Sequence, residues 1–147
     1  MGFIDAHVHV WTPDTAHYPL APGYKREDMK PPSFTPEELF RHAKPAGVDR
    51  INLIQMSFYG FDNSYMLDMM ALYPEVFVGT AVIDPRADAP DKVMTELAKK
   101  RVRAFRIHPD LSKLPPARWL EQRAGRFPAA WHWFARMPRK RPKHPIP

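Results

Sequence analysis

Val76-Phe77-Val78-Gly79-Thr80-Ala81-Val82-Ile83 is an eight-residue run with Thr80 as its one hydroxyl side chain. Apolar side chains at consecutive positions leave neither face for water, the pattern of a parallel strand covered on both sides rather than a half-exposed antiparallel one. Such a strand needs helical neighbours, and the flanking sequence supplies them. Upstream, Asp62 or Asn63 caps a helix carrying Met66, Leu67, Met69, Met70 and Tyr73, and Pro74 ends it. Methionines at this spacing read as ordinary core. Downstream, Asp88-Ala89-Pro90-Asp91 opens a helix with Val93, Met94 and Leu97, closed by Lys99-Lys100-Arg101 at its negative end.

Further out, residues 48–58 form a strand centred on Ile51, Leu53 and Ile54, and residues 102–108 another. The second sets Arg106 and His108 on one face and Phe105 and Ile107 on the other. Thr35-Pro36-Glu37-Glu38 starts a helix, with Thr35 as N-cap and Glu38 closing a capping box. It stops before Gly47, its last turn distorted by Pro45. Residues 3–10 make the first strand: Asp5, His7 and His9 share a face with Phe3, and Ile4, Ala6, Val8 and Val10 form a row facing helices. Residues 11–34 read as a long loop placed to fold over a site. The order β-α-β-α-β-α-β implies an α/β fold with parallel strands and right-handed crossovers. Both a doubly wound sheet and a (β/α)8 barrel have that order. A barrel takes about 250 residues, and 147 residues supply roughly half of one.

Composition narrows the class. Without cysteine the chain has no disulfide, no thiolate metal site and no thiol catalysis. No apolar run approaches the roughly 20 residues that span a bilayer. The first ten residues lack the basic start and apolar stretch of a secretory signal, and Ala6 breaks the myristoylation pattern. A cytoplasmic protein is expected. The net charge of +6 lies in residues 119–147, which hold seven basic residues against Glu121 alone, three of the four tryptophans and five prolines. Residues 1–118 balance at fifteen of each sign and are read as the folded domain. The tail is read as an irregular segment ahead of two other possibilities: a nucleic-acid or membrane arm, or sequence foreign to the fold after a frame slip or truncation.

His7-Val8-His9 carries the chemistry. Residues two apart on a strand point the same way, so both imidazoles can converge on one divalent cation near the strand's C-terminal end, where α/β enzymes hold their sites. Such a cation makes a potent nucleophile of its water near neutral pH. The spacing alone is a weak signal, since paired histidines are often incidental; the first-strand position strengthens it.

Phe3-Ile4-Asp5-Ala6-His7-Val8-His9-Val10-Trp11, followed by His17-Tyr18-Pro19-Leu20, resembles the opening of the amidohydrolase-related family, in its sugar-lactonase and dicarboxylate-lactonase branch. The likeness continues through the capped helix, the strand ending in Ile83-Asp84-Pro85 and Val102-Arg103-Ala104-Phe105-Arg106-Ile107-His108, and covers residues 3–118. It implies the N-terminal half of a TIM-like barrel and a hydrolase of small lactones, amides or related carboxylates, commonly assisted by a divalent metal. His7 and His9 match first-strand metal ligands. Arg106 matches a position that holds a substrate carboxylate, with a structural ion pair as its rival reading. His108, one pleat further out, is a substrate contact, a further ligand or a polar rim residue. Asp5 orients an imidazole or bonds to backbone, and Asp84 is a turn residue before Pro85.

The chain departs from the family pattern in three ways. A later histidine ligand and a catalytic aspartate have no counterpart. His132 stands in the tail between Trp131 and Trp133 and is not assigned as a ligand. Arg101 and Ala104 occupy positions that are usually glycine, so Arg101 is strained if its φ must be positive. Two histidines without a third ligand hold zinc or manganese weakly. The expectation is an amidohydrolase-like chain acting on a small molecule, truncated and with an incomplete catalytic set. The alternatives are an inactive fragment, a half-barrel that pairs with a second copy to complete one ring, and a nucleic-acid-binding domain.

Overall fold

The computed structural model describes residues 2–106 and residue 108. The tail, the boundary at residue 118 and His132 therefore lie outside the described residues. In chain order the elements are β1 (Phe3–Val8), α1 (Pro36–Ala43), β2 (Val48–Ile54), α2 (Ser64–Leu72), β3 (Phe77–Ala81), α3 (Pro90–Lys99) and β4 (Val102–Phe105). All neighbouring strands pair in parallel, in the sheet order β1-β2-β3-β4. That order separates the two architectures which alternation left open. A doubly wound sheet reverses direction part-way and carries helices on both faces. Here every right-handed crossover steps the same way, so the helices gather on one face, as in a barrel wall. The described residues form a four-stranded half-barrel.

The core lies between the sheet's outer face and the helices. Ile51 and Leu53 of β2, Phe77 and Ala81 of β3 and Val102 of β4 pack with Leu39 and Ala43 of α1, Met66 and Met70 of α2, and Met94 and Leu97 of α3. The methionines are core, as their spacing implied. Gly79 explains how close α2 lies: a Cβ there would stand 2.5 Å from the Met70 sulfur and 3.1 Å from the Met66 methyl.

Capping follows local chemistry. Glu38 accepts the Thr35 N–H at 2.7 Å, and Thr35 Oγ1 accepts the Glu38 N–H at 3.5 Å. At α2 the two candidate caps divide the work. Asp62 accepts from the Ser64 N–H at 2.8 Å. Asn63, which is buried, turns inward and pairs with both the N–H and the carbonyl of Val82, at 3.0 and 2.8 Å.

The structure corrects several boundaries. β1 ends at Val8 rather than residue 10. The expected helix-facing row on it is only partly covered: Val10 is buried, whereas Ile4 is 59% exposed and Phe3, on the other face, 72%. β2 stops at Ile54, because the buried Gln55 side chain turns away to the Asp62 carbonyl and Ser57–Tyr59 coils into a 3-10 turn. α1 ends at Ala43, ahead of Pro45. β4 ends at Phe105, one residue before the Arg106 N–H still bonds to the Ala81 carbonyl at 2.8 Å.

Arg101 does take a positive φ, 68°, in the turn from α3 to β4. A left-handed conformation costs a side-chain-bearing residue about 1–2 kcal/mol, and glycine gives back part of that relief through its freer unfolded chain. Arg101→Gly is therefore expected to stabilise the protein by about 0.5–1 kcal/mol. Calorimetry checks this by a raised Tm; a lowered Tm would show that the turn stores no strain.

Candidate active site

His7, near the end of β1, and His9, one residue past it, converge, and their Nε2 atoms stand 3.2 Å apart. The rings meet edge-on, with centroids 5.0 Å apart and planes at 80°. Nitrogens bound at 2.0–2.1 Å to one tetrahedral metal stand about 3.3 Å from each other, so the pair already has the spacing of two ligands on a shared ion. His9 Nδ1–H donates to the Ile54 carbonyl at 2.8 Å. A carbonyl can only accept, so this bond assigns the Nδ1 proton and leaves the Nε2 lone pair pointing at His7. Asp5 bonds to backbone, accepting the His7 N–H at 3.1 Å; of its two expected roles this is the structural one.

Electrostatics favour a neutral His9. Desolvation by burial is the main force holding its pKa below the ordinary value, and the charges of His7 and Arg106 act in the same direction against the bond to Ile54. Arg106 thus acts on the His9 imidazole electrostatically. Arg106, just past β4, and His9, just past β1, stand at the C-terminal rim of the parallel sheet.

His108 is directed elsewhere on that rim, its Nε2 3.0 Å from Ser57 Oγ. Beneath the rim, Asn52 Nδ2 donates to the Ala6 carbonyl at 3.2 Å and to Thr80 Oγ1 at 3.1 Å, tying β1, β2 and β3 across the barrel's inner face. The 11–34 loop closes on itself through the Trp11–Phe34 bridge. It packs beside the β2–α2 connection and α2: the Thr12 N–H donates to the Tyr59 hydroxyl at 3.0 Å, and the Tyr18 hydroxyl to Asp68 of α2 at 2.8 Å. Asp84 is a turn residue, bonding to the Arg86 N–H at 2.9 Å and pairing with its guanidinium.

The imidazoles fit two places of a metal shell. Among the described residues no group of three His, Asp or Glu side chains could complete it. The sequence reading did not reach Ser57, the Ile54 carbonyl or the Asn52–Thr80 pair. Each meets its partner across 28 to 51 residues, so no local pattern marks it.

Several solved structures share this fold, the following three among them. One, from Pseudomonas putida and described as a 2-pyrone-4,6-dicarboxylic acid hydrolase, matches at TM-score 0.56 and 23% identity, covering 72% of this chain and 36% of that one. A second of the same description, from Acinetobacter baumannii with citric acid bound, matches at 0.58 and 18%, covering 83% and 45%. The third, an apo protein of Agrobacterium tumefaciens, matches at 0.55 and 24%, covering 71% and 36%. At these identities the likeness is one of fold. The chain spans less than half the length of each. Residues 4–139 match the sequence pattern of the amidohydrolase family. With the parallel half-barrel and the paired first-strand histidines beside that match, the chain belongs to the amidohydrolase family.

Proposed function

We propose that the chain carries the metal-holding and carboxylate-recognising part of a hydrolase site that opens small lactones, amides or related carboxylates by attack of water. The observation behind this reading is the 3.2 Å separation of two Nε2 atoms, with one ring fixed by its bond to Ile54. His7 and His9 would hold a divalent cation, zinc or manganese, which when bound supplies Lewis-acid activation of water. The chain's own contribution is positional. Burial keeps His9 neutral and able to share its lone pair, and the Ile54 carbonyl stops the ring from turning away. Arg106, close enough to influence His9, offers a planar fork that suits a substrate carboxylate. His108 would contact the substrate further out. Two of the fold relatives are described as hydrolases of a pyrone dicarboxylic acid, a cyclic ester with two carboxyl groups, which supports the carboxylate role of Arg106. A cytoplasmic location without nucleic-acid partners belongs to the same reading. Among the described residues no helix is long and apolar enough to cross a membrane.

The test is turnover of small lactones with and without a carboxyl group, in zinc, manganese or chelator. The expected result is metal-stimulated hydrolysis in which Arg106→Ala loses roughly 10- to 100-fold on the carboxylated substrates and little on the others. Turnover indifferent to metal, or an equal loss on both substrate sets, contradicts it.

A second reading is favoured by β1, which among the described residues is an edge strand with Phe3 and Ile4 exposed. Two copies meeting there would cover these side chains and bring two histidine pairs into one assembly. Sedimentation velocity is then expected to show a dimer that Ile4→Lys dissociates. A monomer at all concentrations would dispose of this reading.

A further inference from the structure

Ser57 has no part in the chemistry proposed above, and His108 enters it only as an outer substrate contact. Ser57 opens the 3-10 turn that follows β2, and His108 stands just beyond β4. The two strands are separated in the sheet by β3, so the contact bridges the top of a whole strand. Ser57 Oγ and His108 Nε2 are 3.0 Å apart, within the range in which a hydroxyl passes its proton to imidazole. Both residues are only half-buried, so a small acyl group can approach the oxygen. Both also lie at the C-terminal ends of parallel strands, the rim on which barrel enzymes place reactive groups.

We propose that Ser57 and His108 form a second reactive centre, a serine nucleophile with its general base, which accepts acyl groups from activated esters without metal. With His108 in its Nδ1–H form, the Ser57 hydroxyl donates to the Nε2 lone pair. Attack of Oγ on the ester carbonyl forms the new C–O bond as its proton passes to Nε2. The collapsing intermediate expels the alkoxide, which takes that proton and leaves as the alcohol. Water then attacks the acyl-serine and gives a proton to Nε2. The acid departs, and the proton returns to Ser57 Oγ. Atoms and charge balance, and water is the one co-reactant. The turn that carries Ser57 is held from several sides: the Phe58 carbonyl accepts the Ala21 N–H at 2.8 Å, and the Trp11 ring lies 5.9 Å edge-on from that of Phe58. An oxygen on an anchored turn loses less freedom on reaching the transition state than one on a free loop.

The experiment uses the whole chain with a fluorophosphonate probe, which captures serines that have a working base, in the presence of a chelator. Peptide mass spectrometry is expected to find the label on Ser57. His108→Gln, which keeps a polar side chain at the position, is expected to slow labelling by at least about 100-fold with the circular dichroism spectrum unchanged. Ser57→Ala is expected to remove the label. Para-nitrophenyl acetate should give a burst of nitrophenol that persists in chelator, a response the metal site cannot produce. Label on another serine, no label at all, or equal rates in wild type and a folded His108→Gln would each overturn the proposal, the last by reducing the contact to a structural hydrogen bond. If His108→Gln fails to fold, the burst in the wild type under chelator decides alone: its absence overturns the proposal. Loss of lactone turnover in chelator while Ser57 still takes the label would show the two sites to be separate.

Discussion

Phe77→Ala is expected to destabilise the protein by about 3–5 kcal/mol, the range for truncating a fully buried aromatic side chain. Phe77 is completely inaccessible to solvent. Its ring stacks on Phe40 at 5.5 Å and 16°, and meets Tyr73 edge-on at 5.7 Å and 84°. Phe40 and Tyr73 are themselves 5.0 Å apart at 87°, so three rings close one cluster. Phe40 comes from α1, Tyr73 from the end of α2 and Phe77 from β3, and the loss is therefore felt by three elements at once. The Tyr73 hydroxyl donates to Glu37 at 2.6 Å, which holds that ring in place and limits how far the cavity can collapse. Native stabilities are typically about 5–15 kcal/mol, so the variant is expected to be largely unfolded at modest urea concentrations. Urea titration followed by circular dichroism measures this. Phe77→Leu, which keeps most of the volume, should lose clearly less. A loss below about 1 kcal/mol for the alanine variant would show that the cluster carries little of the fold's stability.

The second large effect concerns metal. His9→Ala is expected to weaken zinc binding by at least about 100-fold, beyond the 10- to 100-fold that follows loss of a supporting contact. On the proposed reading it removes one of two ligands, the one whose ring is held by the Ile54 carbonyl. His7→Ala should be nearly as severe, because a single imidazole is no longer a chelate. pH acts through the same group. The folded pKa of His9 lies below the ordinary 6.5, chiefly through burial, so the unfolded chain takes up the proton first as pH falls. The contribution of neutral His9 to stability is complete above pH 6.5 and is lost as pH falls through the folded value. Zinc affinity is lost in that same lower window, because only the neutral ring donates. Calorimetric titration at several pH values checks both statements. Equal affinities in wild type and His9→Ala would remove the ligand assignment.

The sequence made the strand–helix alternation legible because Val76 to Ile83 has no polar face and its neighbours carry strong capping signals. It could not choose between barrel and doubly wound sheet. Alternation fixes the sense of each crossover but not which side the next strand joins, and only the observed order resolves that. The family resemblance implied glycine at position 101 and so strain there if φ were positive, and φ is indeed 68°. The partial exposure of the first strand's helix-facing row was not legible. Periodicity records which side chains are apolar and is silent on whether a helix arrives to cover them. At the site, the meeting of His7 with His9 was expected from strand pleating, and the two rings do meet although the strand itself stops at Val8. The Ile54 carbonyl and Ser57 were out of reach, because their partners lie 45 and 51 residues away and a backbone carbonyl has no signature in sequence.

Nitrogen-15 NMR of the histidine side chains during zinc addition bears most directly on the convergence of the two rings. The predicted result is that the Nε2 resonances of His7 and His9 move together to the values of metal-bound nitrogen at one equivalent of zinc, while His9 Nδ1 keeps its proton. Movement of one ring without the other, or loss of the His9 Nδ1 proton as zinc binds, would contradict a shared site at the end of β1.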